Sequence, residues 1–224
     1  MNLASDCPVK SMYQELLKLT RECHNTWCTN VAKLMRSIGY GEVWDLQNIP
    51  PSESDIGSIK RALKLATVQR YKDKWENDVK DTIKYPVLRT YTKFKNSFSV
   101  EPYLNLVNVP KYRLAISQLR VSSHRLAIET GRHTRPPILA SERICKYCHL
   151  QNIDDELHFI TECDYHATER DNLYQTVQRY VPNFIAKDNH DRFVDILTSP
   201  DGDVLRTLGT YVFNGFKKRN ASVL

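Results

Sequence analysis

The sequence predicts a mainly α-helical chain, a helical array interrupted by one compact cysteine–histidine segment. Three observations predict it. Apolar residues recur at steps of three and four over long stretches, which is the helical period. Only 7 glycines occur in 224 residues, which favours helices joined by short connections broken at prolines. With 41% hydrophobic and 26% charged residues, the chain is globular and long enough to bury a core in one or two domains.

In order along the chain, Ser11–Ser37 reads as an amphipathic helix, with Leu16, Leu19, Cys23, Trp27, Val31 and Leu34 on one face. Gly39 and Gly41 stop it, and NIPPSES breaks the chain. Ser52 or Ser54 then caps a second helix running to about Ile83. Its inner face holds Ile56, Ile59, Leu63, Ala66, Tyr71, Trp75 and Val79. Pro86 opens a short helix, PVLRTYTKFK, and Pro102 and Pro110 bracket another element. From Lys111 the chain reads as two helices broken near Ser122–Ser123, the second ended by Gly131 in a left-handed cap. Pro136–Pro137 forces an extended arm. Helices follow over Tyr165–Tyr180, Asn189–Leu197 and Gly202–Lys218. The expected organisation is a helical region over 1–95 and a second over 96–224.

The interruption is ICKYCHLQNIDDELHFITECDYH, Ile144 to His166, which holds three of six cysteines and three of seven histidines. No run of eighteen apolar residues and no N-terminal apolar leader occurs, so the expected setting is intracellular, nuclear or cytoplasmic, with no membrane partner. In such reducing surroundings clustered cysteines read as metal ligands rather than disulfides. A Cys-x2-Cys turn aims Cys145 and Cys148 at one point, and the other ligands return from the helix opened by Asp154 and Asp155. Two sets fit the spacing: Cys145, Cys148, His158 and Cys163, or the same cysteines with His166. His158 and Cys163 differ by about 140° and about 7.5 Å on an ideal helix, so they share an ion only if the helix ends between them. His166 lies one turn from Cys163, whereas His149 adjoins Cys148 and chelates awkwardly. Four nitrogen and sulfur ligands close the shell of a zinc ion and make it structural. The fold class is therefore a helical array with a small Cys3His zinc knuckle, residues 143–166, inserted between helices. Cys23 and Cys28 fall on the first helix and read as core.

The stretch RLAISQLRVSSHRLAIETGRH, followed by ERICKYCHLQNIDDELHFITECDYHATERDNLY, resembles the zinc-knuckle region after the reverse transcriptase in polyproteins of non-LTR, LINE-like retrotransposons. The resemblance covers roughly Lys111 to Tyr174. It implies Cys145, Cys148, His158 and Cys163 as ligands, an RNA or DNA partner, and a reverse transcriptase domain in cis in the parent element. It carries over no catalysis: no Tyr/Phe-x-Asp-Asp polymerase signature occurs, adjacent aspartates occur only at Asp154–Asp155, and no endonuclease constellation is apparent. The expected protein is not an enzyme.

The charge pattern has two readings: a basic segment and the acidic one after it neutralise each other in the fold, or the basic one faces a polyanion. Residues 111–146 hold 8 Lys/Arg against 2 Asp/Glu, and residues 147–171 hold 1 against 7. The expected nucleic-acid contacts are Arg113, Arg120, Arg125, Arg132, Arg135 and Lys146, with Tyr147 placed to stack on a base. The bland alternatives are an Arg125–Glu129 pair, a solvated helix with Leu114, Ile116 and Leu119 as its core face, and Tyr147 as cover for the metal. Lys217, Lys218 and Arg219 read as a solvated basic tail. A rival function is a protein-interaction module docking a basic partner on Asp154, Asp155, Glu156 and Glu162. A hydrolytic zinc with Glu156 or Glu162 as base would need an open coordination position.

Overall fold

The computed structural model describes residues 26–45, 53–81 and 83–221, with Met12 and Glu15 besides. Among them the chain is mostly helix and holds no strand, only an isolated antiparallel bridge between Ile144 and Ile153. No helix among the described residues is long and apolar enough to cross a membrane. Contacts divide the chain into two units, Met1–Trp75 and Glu76–Leu224.

In the first unit, α1 (Trp27–Ser37) and α2 (Gly41–Asp45) form a helical hairpin. Thr26 caps α1 by accepting the Thr29 amide at 3.2 Å. Cys28 and Ala32, one turn apart, are its buried residues, so Cys28 is a core cysteine. Gly39 turns the chain at φ 82. The first part of the expected helix, with Cys23, lies outside the described residues. Helix α3 (Glu53–Lys80) stops three residues short of the expected Ile83. Leu63, Ala66, Trp75 and Val79 are half-buried on it, but Tyr71 is exposed.

The second unit holds α4 (Tyr91–Phe94), α5 (Pro102–Leu106), α6 (Pro110–Arg120), α7 (Ala127–Thr130), α8 (Glu156–Thr161), α9 (Ala167–Gln178), α10 (Asn189–Thr198) and α11 (Gly202–Ala221). Prolines stand in the first turns of α5 and α6, where no amide partner is lost. Asp188 caps α10 through the Asp191 amide at 2.8 Å. Helix α11 is the spine, packed mainly on α6 and α9. Its Val204, Leu205, Leu208 and Val212 meet Ile116, Leu119, Leu173 and Val177 in one core. Phe94 belongs to that core, edge-on to Phe193 at 6.5 Å. The segment 86–95, grouped by sequence with the N-terminal region, thus packs in the second unit.

The expected break at Ser122–Ser123 is present, with Ser122 buried at φ 51. Gly131 serves a different purpose from the one expected. Its backbone is right-handed (φ −66), so it is no left-handed cap. A Cβ there would stand 2.9 Å from Cγ of Arg143, so the missing side chain makes room for that arginine. Arg143 in turn donates to the Ile138 and Ile128 carbonyls, which tie the arm after Pro136–Pro137 to α7.

Candidate metal centre

The cysteine segment folds as a short hairpin. The Cys145 amide donates to the Asn152 carbonyl at 2.9 Å, and the Asp154 amide donates to the Arg143 carbonyl at 2.8 Å. Gln151 takes φ 55 at the turn. Asp155 then caps α8 by accepting the His158 amide at 2.8 Å, and His158 occupies the first turn.

The angular difficulty between His158 and Cys163 is solved by ending the helix. Helix α8 stops at Thr161, and the Cys163 amide reaches back five residues to the His158 carbonyl at 2.9 Å. That wider closure turns the Cys163 sulfur back toward the imidazole.

Cys145, Cys148, His158 and Cys163 are all buried, and their four ligand atoms lie within 4.8 Å of one another. The Cys145 and Cys163 sulfurs are 3.8 Å apart, and the Cys148 sulfur is 3.4 Å from Nε2 of His158. Metal–sulfur bonds of about 2.3 Å and metal–nitrogen bonds of about 2.0–2.1 Å put tetrahedral ligands about 3.8 Å apart for two sulfurs and about 3.6 Å for sulfur and nitrogen. Those two separations are close to the tetrahedral values, and these four residues could hold a metal ion.

The surroundings suit a ligand set. Nδ1 of His158 faces the Glu162 carboxylate at 3.1 Å, which leaves Nε2 for the metal. Glu162 is itself held by Asn152 at 2.9 Å and Asn189 at 3.2 Å. The Cys145 thiol is pulled well below the usual thiol range. Its hydrogen bond with Cys163 is the largest cause, and His158 and Arg219 also lower it against the opposing effect of burial.

Arg219 corrects the sequence expectation most sharply. It is no solvated tail but a buried guanidinium at the end of α11. Its Nη2 reaches the Cys163 sulfur at 3.5 Å and the Cys145 sulfur at 3.9 Å. Its Nη1 donates to Asp154 at 2.7 Å and its Nε to Nε2 of His166 at 3.0 Å. The rings of Tyr147 and Phe159 flank it, centroids 4.7 and 5.0 Å away. The signal was present in the helical period: Leu208, Val212, Gly215 and Arg219 form one buried stripe. Gly215 admits the Phe159 ring, which a Cβ would approach to 2.7 Å.

His166, the alternative ligand, turns toward Arg219 rather than the cysteines. Its ring packs edge-on against Phe159 and Tyr165. Burial, reinforced by the charges of Arg219 and Lys218, pushes its pKa down to about 3, so it stays neutral.

A second polar hub, missed by sequence reasoning, lies at the base of α8. The buried Glu156 carboxylate accepts from Arg89 (2.9 and 3.0 Å), Thr90 (2.9 Å), Ser122 (2.6 Å) and His124 (2.8 Å). Nδ1 of His124 accepts the Leu126 amide, which leaves Nε2 as the donor. Burial would raise the Glu156 pKa, but His124, Arg89 and Ser122 outweigh it and hold the group at about 2. Arg89 and Arg132 both pair with the buried Glu129, which displaces the expected Arg125–Glu129 pair.

The other expected contacts separate. The face carrying Arg113, Ser117 and Arg120 exists, but the 101–107 segment covers it. Arg113 donates to the Leu104 carbonyl at 3.3 Å, and Ser117 pairs with the Tyr103 hydroxyl at 3.0 Å. Arg120 is buried, bound to Glu101 and the Leu197 carbonyl, each at 2.6 Å, and lies over the Phe94 ring. It is a core residue. Leu114, read as core, is 59% exposed. Tyr147 has Arg219 over its ring, Tyr165 beside it at 5.3 Å and its hydroxyl on the Arg219 carbonyl, so it covers the cysteine cluster. Arg125, Arg135 and Lys146 are exposed and Arg132 half-buried. The acidic face is largely occupied. Asp154 pairs with Arg219 and caps α7 through the Ala127 amide, Glu156 is enclosed, and Glu162 holds His158.

No protein-family model, curated protein or solved structure matches this chain.

Proposed function

We propose that the cluster holds zinc and that the chain is a non-catalytic, zinc-stabilised nucleic-acid-binding module. It resembles the region after the reverse transcriptase of a LINE-like element and contributes to binding of template RNA or target DNA. The observation that carries this proposal is the three-sulfur, one-imidazole donor set at tetrahedral spacing, with a carboxylate on the far imidazole nitrogen. Soft thiolates with imidazole in a tetrahedron suit zinc, and four protein donors leave no position for a reacting water.

The motifs behind the resemblance support the same proposal. Ser122 and His124 of the VSSHRL stretch bind Glu156 of the DDELHF stretch. Asp154 links the hairpin to both α7 and Arg219. These bonds fasten the basic and acidic stretches to each other, which supports reading them as one support for the zinc knuckle, with Arg125, Arg135 and Lys146 exposed.

The test is metal content of the purified chain followed by titration with RNA and DNA oligonucleotides at two salt concentrations. One zinc per chain is expected, with affinity that falls steeply as salt rises, because neutralised phosphates release counterions. A metal-free folded chain, or no binding, would overturn the proposal.

A further inference from the structure

The surface beside the metal cluster is concave. A groove of about 1170 Å³ runs between the α6–α7 connection and the end of α11, bordered on one side by the Cys145–Cys148 turn. Arg125, His133 and Lys146 line it, and all three are exposed. Among the described residues, none of them pairs with a carboxylate. The groove has two acidic residues in its lining, Glu129 and Asp154, and both are buried and already bound to arginines. The charge left open to a ligand is therefore positive.

The groove is not merely basic. Val87 and Val121 line it while 38% and 40% exposed, apolar surface that phosphates alone would leave wet. Gln118, Ser123 and Asn220 add neutral donors and acceptors to the lining. Its volume exceeds the roughly 300–1,000 Å³ of enclosed small-molecule sites. A duplex presents mainly phosphates outward, whereas a single strand offers phosphates and unpaired bases together.

We infer that this groove seats a segment of single-stranded nucleic acid, phosphates on Arg125, His133 and Lys146 and bases over Val87 and Val121. The inference rests on the nucleic-acid role proposed above and gives that role a place and a strand state. Tyr147, the expected stacking residue, takes no part because Arg219 and Tyr165 already occupy its ring.

The test uses the full zinc-loaded chain, a mixed-sequence single strand and a blunt duplex of the same sequence, read by fluorescence anisotropy over a salt series. Arg125→Glu with His133→Glu, and the milder Arg125→Gln with His133→Gln, are compared with Arg179→Glu on the end of α9. Zinc content and helical signal are checked in each variant. The wild type should prefer the single strand. The groove variants should lose about tenfold in affinity, and the slope of log affinity against log salt should fall by about one for each phosphate contact removed. Arg179→Glu should change neither. Unchanged single-strand binding in the groove variants would overturn the inference and leave the nucleic-acid role standing. Equal or tighter duplex binding would overturn the strand assignment. If the wild type binds neither oligonucleotide but binds polyglutamate through Arg125, the occupant is an acidic peptide and both proposals fail.

Discussion

Arg219 Nη2 lies 3.5 Å from the Cys163 sulfur, which couples the last turn of α11 to the metal ligands. Three thiolates and a neutral imidazole around a divalent ion would carry one net negative charge, and the guanidinium, paired with Asp154 through Nη1, turns Nη2 to the sulfurs that would carry it. Arg219→Gln should therefore weaken metal binding by roughly 10–100-fold, the usual effect of removing an outer-shell partner. Competition with a chromophoric chelator measures this, and Arg219→Lys should recover part of the loss.

Stripping the ion should loosen the cluster before the core. The Cys145, Asp154 and Cys163 amides, each hydrogen-bonded within the ligand segment, should exchange with deuterium sooner after chelation than amides in α9 and α10. Cys145→Ser with Cys148→Ser should reproduce that pattern without chelator. Equal protection in all forms would mean the ion contributes nothing to the segment.

Glu156 sets a pH dependence with a definite sign. Its folded-state pKa of about 2 lies below the ordinary 4.5, so its contribution is complete above about pH 4.5 and fades as pH falls toward 2. The difference corresponds to on the order of 3 kcal/mol. Glu156→Gln should lose about that much stability near neutral pH, and the gap from wild type should narrow on acidification. Both proteins keep the same metal ligands, so their difference isolates the carboxylate in denaturant titrations.

Arg120 separates structural cations from binding ones. Arg120→Ala takes one of two cations from Glu101, which keeps Lys95 at 2.9 Å, and strips the Leu197 carbonyl of its donor, so it should destabilise the fold by about 1–3 kcal/mol in urea. The folded fraction should bind oligonucleotides with unchanged affinity and salt slope.

Much of the helical order was legible because apolar spacing and proline breaks act locally. Asn189–Leu197 was one residue short of the observed α10, and the Ser122–Ser123 break was placed correctly. The three cysteine donors were legible from residue type and spacing, whereas spacing left His158 and His166 both open and only the resemblance implied His158. The role of each cation was not. Arg113 and Arg120 lie on one helical face as periodicity requires, but no local pattern reveals that residues 101–107 fold over that face. Arg219 lies 56 residues from Cys163 in the chain, so a short-range reading leaves it as a charged end. Glu156 likewise needed Arg89 and His124, which only the packing of three segments brings together.

The Cys163 amide that closes on the His158 carbonyl makes the interval between imidazole and thiol a ruler of fixed length. One inserted residue there would swing the sulfur by about 100° around the α8 axis and leave the ion three-coordinate. Changes in chain length should instead collect at the exposed tip, His149–Gln151, ahead of the Asn152 carbonyl that holds the Cys145 amide.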